Sequence, residues 1–238
     1  MNGGHSESTP LKIHVVTLFP DMFAGPFADS IVDRAVRKGL VDIRLVPLRP
    51  FGVGVHRICD DYPYGGGVGM LMRPEPLVDA VEWCLAHEPR PARVLVTAAR
   101  GRPLSQPWLE ELSRAGHLVL IAGHYEGIDQ RVLDVLGAEE LSLGPFVLTG
   151  GEIPAMAVVD GVVRLLPGAL GAEEGSRDDS FSGPHRLVEG PQYTRPPVYR
   201  GHAVPDVLLS GDHARIRAWR EQQARMSTER LLGWQEQS

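Results

Sequence analysis

Short apolar runs and amphipathic stretches alternate along most of this chain, and that alternation most limits what it can fold into. Residues 12–18 (KIHVVTL) read as a buried strand, 30–38 as a short amphipathic helix stopped at Gly39, and 41–48 as a second strand. After a loop over 49–73 the pattern resumes with a helix at 76–87 and a strand at 93–97. A helix at 106–114, a strand at 117–122, a helix at 130–136, a strand at 139–143 and a helix at 153–166 follow. Strands separated by helices pair through crossovers rather than hairpins, which builds a parallel sheet covered on both faces. The expected fold class is α/β.

In such a sheet ligands bind beyond the carboxyl ends of the strands, so the loops there carry the functional reading. The segment LSLGPFVLTGGEIP runs from an apolar strand through a glycine-studded loop into a helix. Gly144, Gly150 and Gly151 allow main chain to approach a ligand closely, and Pro154 suits the first helical turn. AGHYEGIDQ follows the preceding strand, with Glu126 and Asp129 as polar candidates, although Asp129 is equally an ordinary helix N-cap. TAARGR follows a third strand, and three such loops make a pocket for a small cofactor. The glycine cluster in DDYPYGGGVGM fails the GxGxxG spacing, because Met70 stands where the last glycine belongs. Its two acids and two tyrosines suggest ordering around a substrate or the neighbouring loops.

The stretch GALGAEEGSRDDSFSG loses all periodicity and reads as a flexible linker. Beyond it, proline-rich turns lead to Ser210-Gly211-Asp212, a cap for a helix over 213–226. Residues 184–238 carry eight Arg and six acids while the rest of the chain has a net charge of −8, so the C-terminal part is the expected face for a polyanion. Cys59 and Cys84 lack the spacing of a zinc site or redox pair and read as packing residues. With 43% hydrophobic residues, no long apolar run and a polar start, MNGGHSESTP, the expectation is a cytoplasmic protein with neither membrane segment nor secretory signal.

Four segments together, PYGGGVGM, GHYEGIDQRV, SLGPFVLTGGEIPA and PQYTRPPVYRG with VLLSGDHARIRAWR, resemble the TrmD-type tRNA (guanine-N(1)-)-methyltransferases in order and interval over residues 12–225. The resemblance implies a SPOUT fold: an α/β domain with a parallel sheet and deep trefoil knot, plus a small C-terminal helical domain. It divides the chain into a disordered tail (1–10), the knotted methyltransferase domain (11–168), an interdomain linker (169–183) and a tRNA-binding domain (184–238). It implies methyl transfer from S-adenosyl-L-methionine to ring nitrogen 1 of the guanosine just 3' of the tRNA anticodon, by a homodimer whose active sites lie at the subunit interface. Mg2+ is a candidate assistant, with no protein metal site evident.

By the same resemblance, Asp179 is the general base and Arg164 its partner, stabilising charge on the guanine carbonyl oxygen. Thr97, Ala98, Ala99, Gly101, Gly123, Tyr125 and Glu126 line the cofactor with Ser142, Leu143, Gly144, Pro145, Phe146, Val147, Leu148, Gly150, Gly151 and Pro154. Arg195, Arg200, Arg215, Arg217 and Arg220 supply phosphate contacts. The chain departs from the family pattern at Gly54, where an acid or amide is usual, at His124, where an arginine is usual, and at Ala98-Ala99 and Pro145-Phe146. The competing readings are a paralogue acting on another RNA or small molecule and a non-catalytic RNA-binding module; retention of Asp179 and Arg164 favours chemistry.

Overall fold

A computed structural model of the chain describes residues 9–170 and 179–235. The expected tail at 1–10 and linker at 169–183 therefore fall largely outside the described residues. The chain divides into two compact units, Met1–Gly171 and Ala172–Ser238.

The first unit is built on five strands: β1 (Leu11–Thr17), β2 (Val41–Pro47), β5 (Ala92–Pro103), β6 (His117–Ile121) and β7 (Glu139–Ser142). They form one sheet in the order β2-β1-β6-β5-β7, and every pairing is parallel. Helices α1 (Ala24–Phe27), α2 (Ser30–Arg37), α3 (Pro74–His87), α4 (Gln106–Leu112), α5 (Gln130–Leu136) and α6 (Glu152–Val163) connect them. Two separate apolar clusters lie on the two faces. One packs Val32 and Ala35 of α2, Trp108 and Leu112 of α4 and the valines of α6 against Ile13, Val15 and Leu120. The other packs Leu77, Ala80, Val81 and Cys84 of α3 and Val132 of α5 against Val16, Val96 and Ile121. The double coverage expected from the sequence holds.

The helices follow from their apolar spacing. In α3 the buried positions Leu77, Ala80, Val81 and Cys84 make a single stripe, whereas α6 buries Ala155, Val158, Val159, Val162 and Val163 and is apolar on most sides, as a core helix must be. Both cysteines are buried free thiols, and burial pushes Cys84 up to about 12, which makes it inert packing.

The expected loop over 49–73 holds more structure than its composition suggests. Its strands β3 (Asp60–Asp61) and β4 (Leu71–Met72) pair antiparallel across the glycine cluster. β5 is also longer than the 93–97 stretch. Thr97 and Arg102 both pair with Leu141, so residues 98–101 leave the ladder and the strand then rejoins β7.

The second unit contains the short pair β8 (Val198–Tyr199) and β9 (His202–Ala203), helix α7 (Asp206–Leu209) and the long helix α8 (His213–Gln235). Asp212 caps α8, its carboxylate accepting from the Ala214 and Arg215 amides, both at 3.1 Å. The helix does not stop at residue 226 as the sequence suggests. Thr228, within the continuing helix, donates its hydroxyl to the Ala224 carbonyl and accepts from the Val188 amide. Among the described residues no helix is long and apolar enough to cross a membrane.

Candidate active site

Strands β6, β5 and β7 are neighbours and parallel, so the loops at their carboxyl ends meet on one edge. They enclose a cleft of about 540 Å³, a size typical of small-ligand sites.

The first wall is the β5 excursion. Thr97 is buried, donates its hydroxyl to the Ile121 carbonyl at 3.2 Å and accepts from the Gly123 amide at 3.1 Å. This one hydroxyl fixes the spacing of two loops. Ala98, Ala99 and Arg100 continue into the cleft, and Arg100 is held by Glu140 and Gln130, each at 2.7 Å. Gly101 is not among the lining residues. It turns back into the β5–β7 pairing, where a Cβ would run into the Leu141 backbone.

Gly123, Tyr125 and Glu126 from the β6 loop form the floor. Tyr125 takes a left-handed φ of 60°, a strained choice for a non-glycine residue, and burial raises its phenol above the usual range. The glycine cluster of the 60–70 loop packs here. Gly69 has a φ of +89°, and a Cβ on it would overlap the Glu126 side chain, lying 2.7 Å from Oε1. The Glu126 amide donates to the Met70 carbonyl at 3.0 Å, and the Met72 amide to the Gly127 carbonyl at 2.9 Å. This loop is thus anchored on the AGHYEGIDQ loop. Asp129, as the N-cap of α5, accepts from the Arg131 amide.

The third wall comes from the stretch between β7 and α6. Ser142, Leu143, Phe146, Val147, Leu148, Gly150, Gly151 and Pro154 all line the cleft, while Gly144 and Pro145 do not. Gly144 is covered by the Phe146 ring, which leaves 2.9 Å for a Cβ, and Pro145 is on the exposed outer side. Val147 is 85% exposed and Phe146 53%, so an apolar rim stands ready for a ligand face. The Gly151 amide donates to the Gly123 carbonyl at 2.6 Å. A Cβ on Gly151 would collide with Thr97 Oγ1 and lie 2.5 Å from the Gly123 nitrogen.

Sequence reasoning missed the side chains behind this wall. Glu152 is 1% exposed and accepts from the Thr17 hydroxyl at 3.0 Å, and its other oxygen lies 3.7 Å from His124 Nδ1. A carboxylate in the first turn of a mostly apolar helix was the available signal.

The remaining site candidates are distributed over the two units. Arg164 is the C-cap of α6 in the first. Asp179 is half-buried in the second, in a turn closed by its carbonyl accepting from the Ser182 amide at 3.0 Å and from the Ser182 hydroxyl. That turn is anchored by the Phe181 amide to the Leu187 carbonyl and by the Glu189 amide to the Ser180 hydroxyl. Arg195, Arg200, Arg215, Arg217 and Arg220 are all exposed, with the Arg200 guanidinium 5.4 Å from the Tyr199 ring centre. Gly54 is exposed with a φ of +68° and touches nothing that would resist a side chain. No group of three or more His, Cys, Asp or Glu side chains suited to a metal ion comes together among the described residues.

These features define a parallel α/β protein whose ligand cleft lies at three adjacent strand ends. The profile of the family described as tRNA (Guanine-1)-methyltransferase TrmD matches residues 11–231, and the chain belongs to that family. It is 50% identical over 214 residues to a tRNA (guanine-N(1)-)-methyltransferase of Dehalococcoides mccartyi (strain CBDB1), covering 90% of this chain and 86% of the relative. Relatives with the same description from Rhodopirellula baltica (51% over 219 residues, 92% and 90% coverage) and Desulforudis audaxviator (52% over 216, 91% and 86%) are similarly close.

Proposed function

We propose that this chain transfers a methyl group from S-adenosylmethionine to ring nitrogen 1 of the guanosine immediately 3' of the tRNA anticodon. The observation that carries the reading is the cleft at the ends of β6, β5 and β7, joined at Gly123 and Gly151, in a chain of this family. The residues present suit that cofactor. Backbone groups of Leu143, Val147 and Leu148 at the cleft offer donors and acceptors to an adenine edge, Phe146, Val147 and Leu148 offer an apolar wall, and Glu126 suits a cationic end. When bound, the cofactor would supply a methyl carbon activated on a sulfonium sulfur, whose bond to that carbon breaks with the electron pair staying on sulfur as a neutral thioether.

The chain's own groups handle the proton and the charge. Asp179 accepts the proton from guanine nitrogen 1, which frees the lone pair for the new nitrogen–carbon bond. Arg164 places a guanidinium by the guanine carbonyl oxygen, where negative charge develops as the proton leaves. In this reading residues 11–168 form a SPOUT domain with a deep trefoil knot, 169–183 the catalytic linker and 184–238 a helical tRNA-binding domain. Arg195, Arg200, Arg215, Arg217 and Arg220 hold phosphates. The active enzyme is a cytoplasmic homodimer that joins the cofactor cleft of one subunit to the Asp179 segment of the other, with Mg2+ as a candidate assistant. Family membership supports this reading.

The test is single-turnover methyl transfer from labelled S-adenosylmethionine to an unmodified tRNA transcript, with the product base identified by digestion. Label in 1-methylguanosine is expected; label in any other nucleoside, or none, contradicts the proposal.

A further inference from the structure

Residues 98–101 of β5 have no partner in the ladder with β7, which resumes when Arg102 pairs with the same Leu141 as Thr97. A stretch released from a ladder has to be held by side chains, and Ala98, Ala99 and Gly101 carry no side-chain donor or acceptor. Arg100 supplies the anchor. Its Nε donates to Glu140 Oε1 and its Nη2 to Gln130 Oε1, each at 2.7 Å. Glu140 belongs to β7 and Gln130 opens α5, so one side chain ties the excursion to two further elements. Gln130 is itself fixed by donating its amide to Asp134 at 3.1 Å. Arg100, Gln130 and Glu140 all line the cleft, beside Ala98 and Ala99.

The guanidinium suits this task because it is planar and its donors form a rigid fork. Two bonds from one plane fix its orientation, which the point charge of a lysine would not do. The bond to Glu140 is also charge-assisted. The Arg100 side chain is 64% exposed, so water screens the pair and its worth is a severalfold effect on a local equilibrium. None of the three residues belongs to the apolar clusters on the faces of the sheet. Loss of the anchor therefore falls on the cleft wall before it falls on the fold.

We propose that Arg100 is a positioning residue for the cofactor: its bonds to Glu140 and Gln130 hold the 98–101 excursion as a fixed wall of the cleft. The inference rests on the reading of the cleft as the S-adenosylmethionine site. A displaced wall weakens every ligand of the same shape, so S-adenosylmethionine and its demethylated product, S-adenosylhomocysteine, lose affinity together. A direct charge effect of Arg100 would separate them, because only the first carries a sulfonium.

Isothermal titration of both ligands into the full-length chain, beside thermal melts without ligand, tests this on R100A, R100E, E140R and the double variant R100E/E140R. R100A raises both Kd values about fivefold, and R100E and E140R raise them at least as much. The double variant returns to within about twofold of wild type, since opposite charges face each other again and the Gln130 amide can donate as well as accept. Melting temperatures stay within about 2 °C of wild type. R100A within about twofold of wild type, a double variant no better than the single ones, or losses that differ more than about threefold between the ligands overturn the inference and leave the cofactor reading standing. Losses that track a falling melting temperature do the same. Absence of binding by the wild-type chain overturns both. Should either chain carrying E140R not fold, R100A and R100E decide through equal losses for the two ligands at an unchanged melting temperature.

Discussion

The Gly151 amide donates to the Gly123 carbonyl at 2.6 Å, which ties the loop opening α6 to the loop leaving β6 and closes the cleft from two sides. The contact exists because neither residue carries a side chain: a Cβ on Gly151 has no room beside Thr97 Oγ1 and the Gly123 nitrogen, and one on Gly123 would lie 3.1 Å from the Thr97 carbonyl oxygen.

Gly151→Ala is accordingly expected to lower S-adenosylmethionine affinity by about tenfold or more, since the new methyl separates the loops. Calorimetric titration beside a thermal melt checks it. Unchanged affinity would show that the tie does not shape the site.

Thr97→Val keeps the volume but removes a hydroxyl that serves both the Ile121 carbonyl and the Gly123 amide. The Gly123 amide loses its partner in a buried position, and a stability loss of about 1–3 kcal/mol is expected by chemical denaturation. A loss below about 0.5 kcal/mol would mean that the hydroxyl is incidental.

His14 and His117 meet on adjacent strands, with Nδ1 and Nε2 2.8 Å apart and both residues buried. Burial, with His117 beside it, lowers His14 to about 4, and burial also lowers His117. Asp42, Arg44 and Glu88 surround the first; Lys12, Glu88 and Arg90 surround the second. The folded pair stays neutral where unfolded imidazoles, at an ordinary value near 6.5, already take protons. Stability is therefore full above pH 6.5 and falls as the pH drops from 6.5 toward 4, with His14 alone contributing up to roughly 3 kcal/mol. Urea midpoints at pH 7 and pH 5 check this, and His14→Leu should show the shallower fall. Equal falls in the two proteins would contradict it.

Much of this was legible in the sequence, and the misses have physical causes. The five strands of the sheet were readable because runs such as KIHVVT and HLVLI are buried on both faces, and the loops at the ends of β5, β6 and β7 identified the cleft. The rejoining of β5 with β7 after residue 101 was not, because Ala98-Ala99-Arg100-Gly101 carries no strand pattern and only the register with Leu141 restores it. Two-residue strands such as Asp60–Asp61 have no period to detect. Pairs such as His124 with Glu152, or His14 with His117 103 positions away, arise from adjacency of strands and helix ends that no local pattern encodes.

If the exposed arginines of the second unit hold phosphates, log Kd for tRNA rises linearly with log salt concentration. Replacing Arg215, Arg217 and Arg220 with Ala should reduce that slope by about 0.7–0.9 for each phosphate no longer neutralised. Filter binding between about 50 and 200 mM salt checks it, and an unaltered slope would place the RNA elsewhere.

The central claim is tested most directly by presenting the protein with labelled S-adenosylmethionine and two unmodified tRNA transcripts that differ only in carrying guanosine or adenosine 3' of the anticodon. Label is expected in the guanosine transcript alone, with Asp179→Asn slowing turnover by at least ~100-fold while cofactor still binds. Equal labelling of both transcripts, labelling of neither, or full turnover in Asp179→Asn would contradict the account.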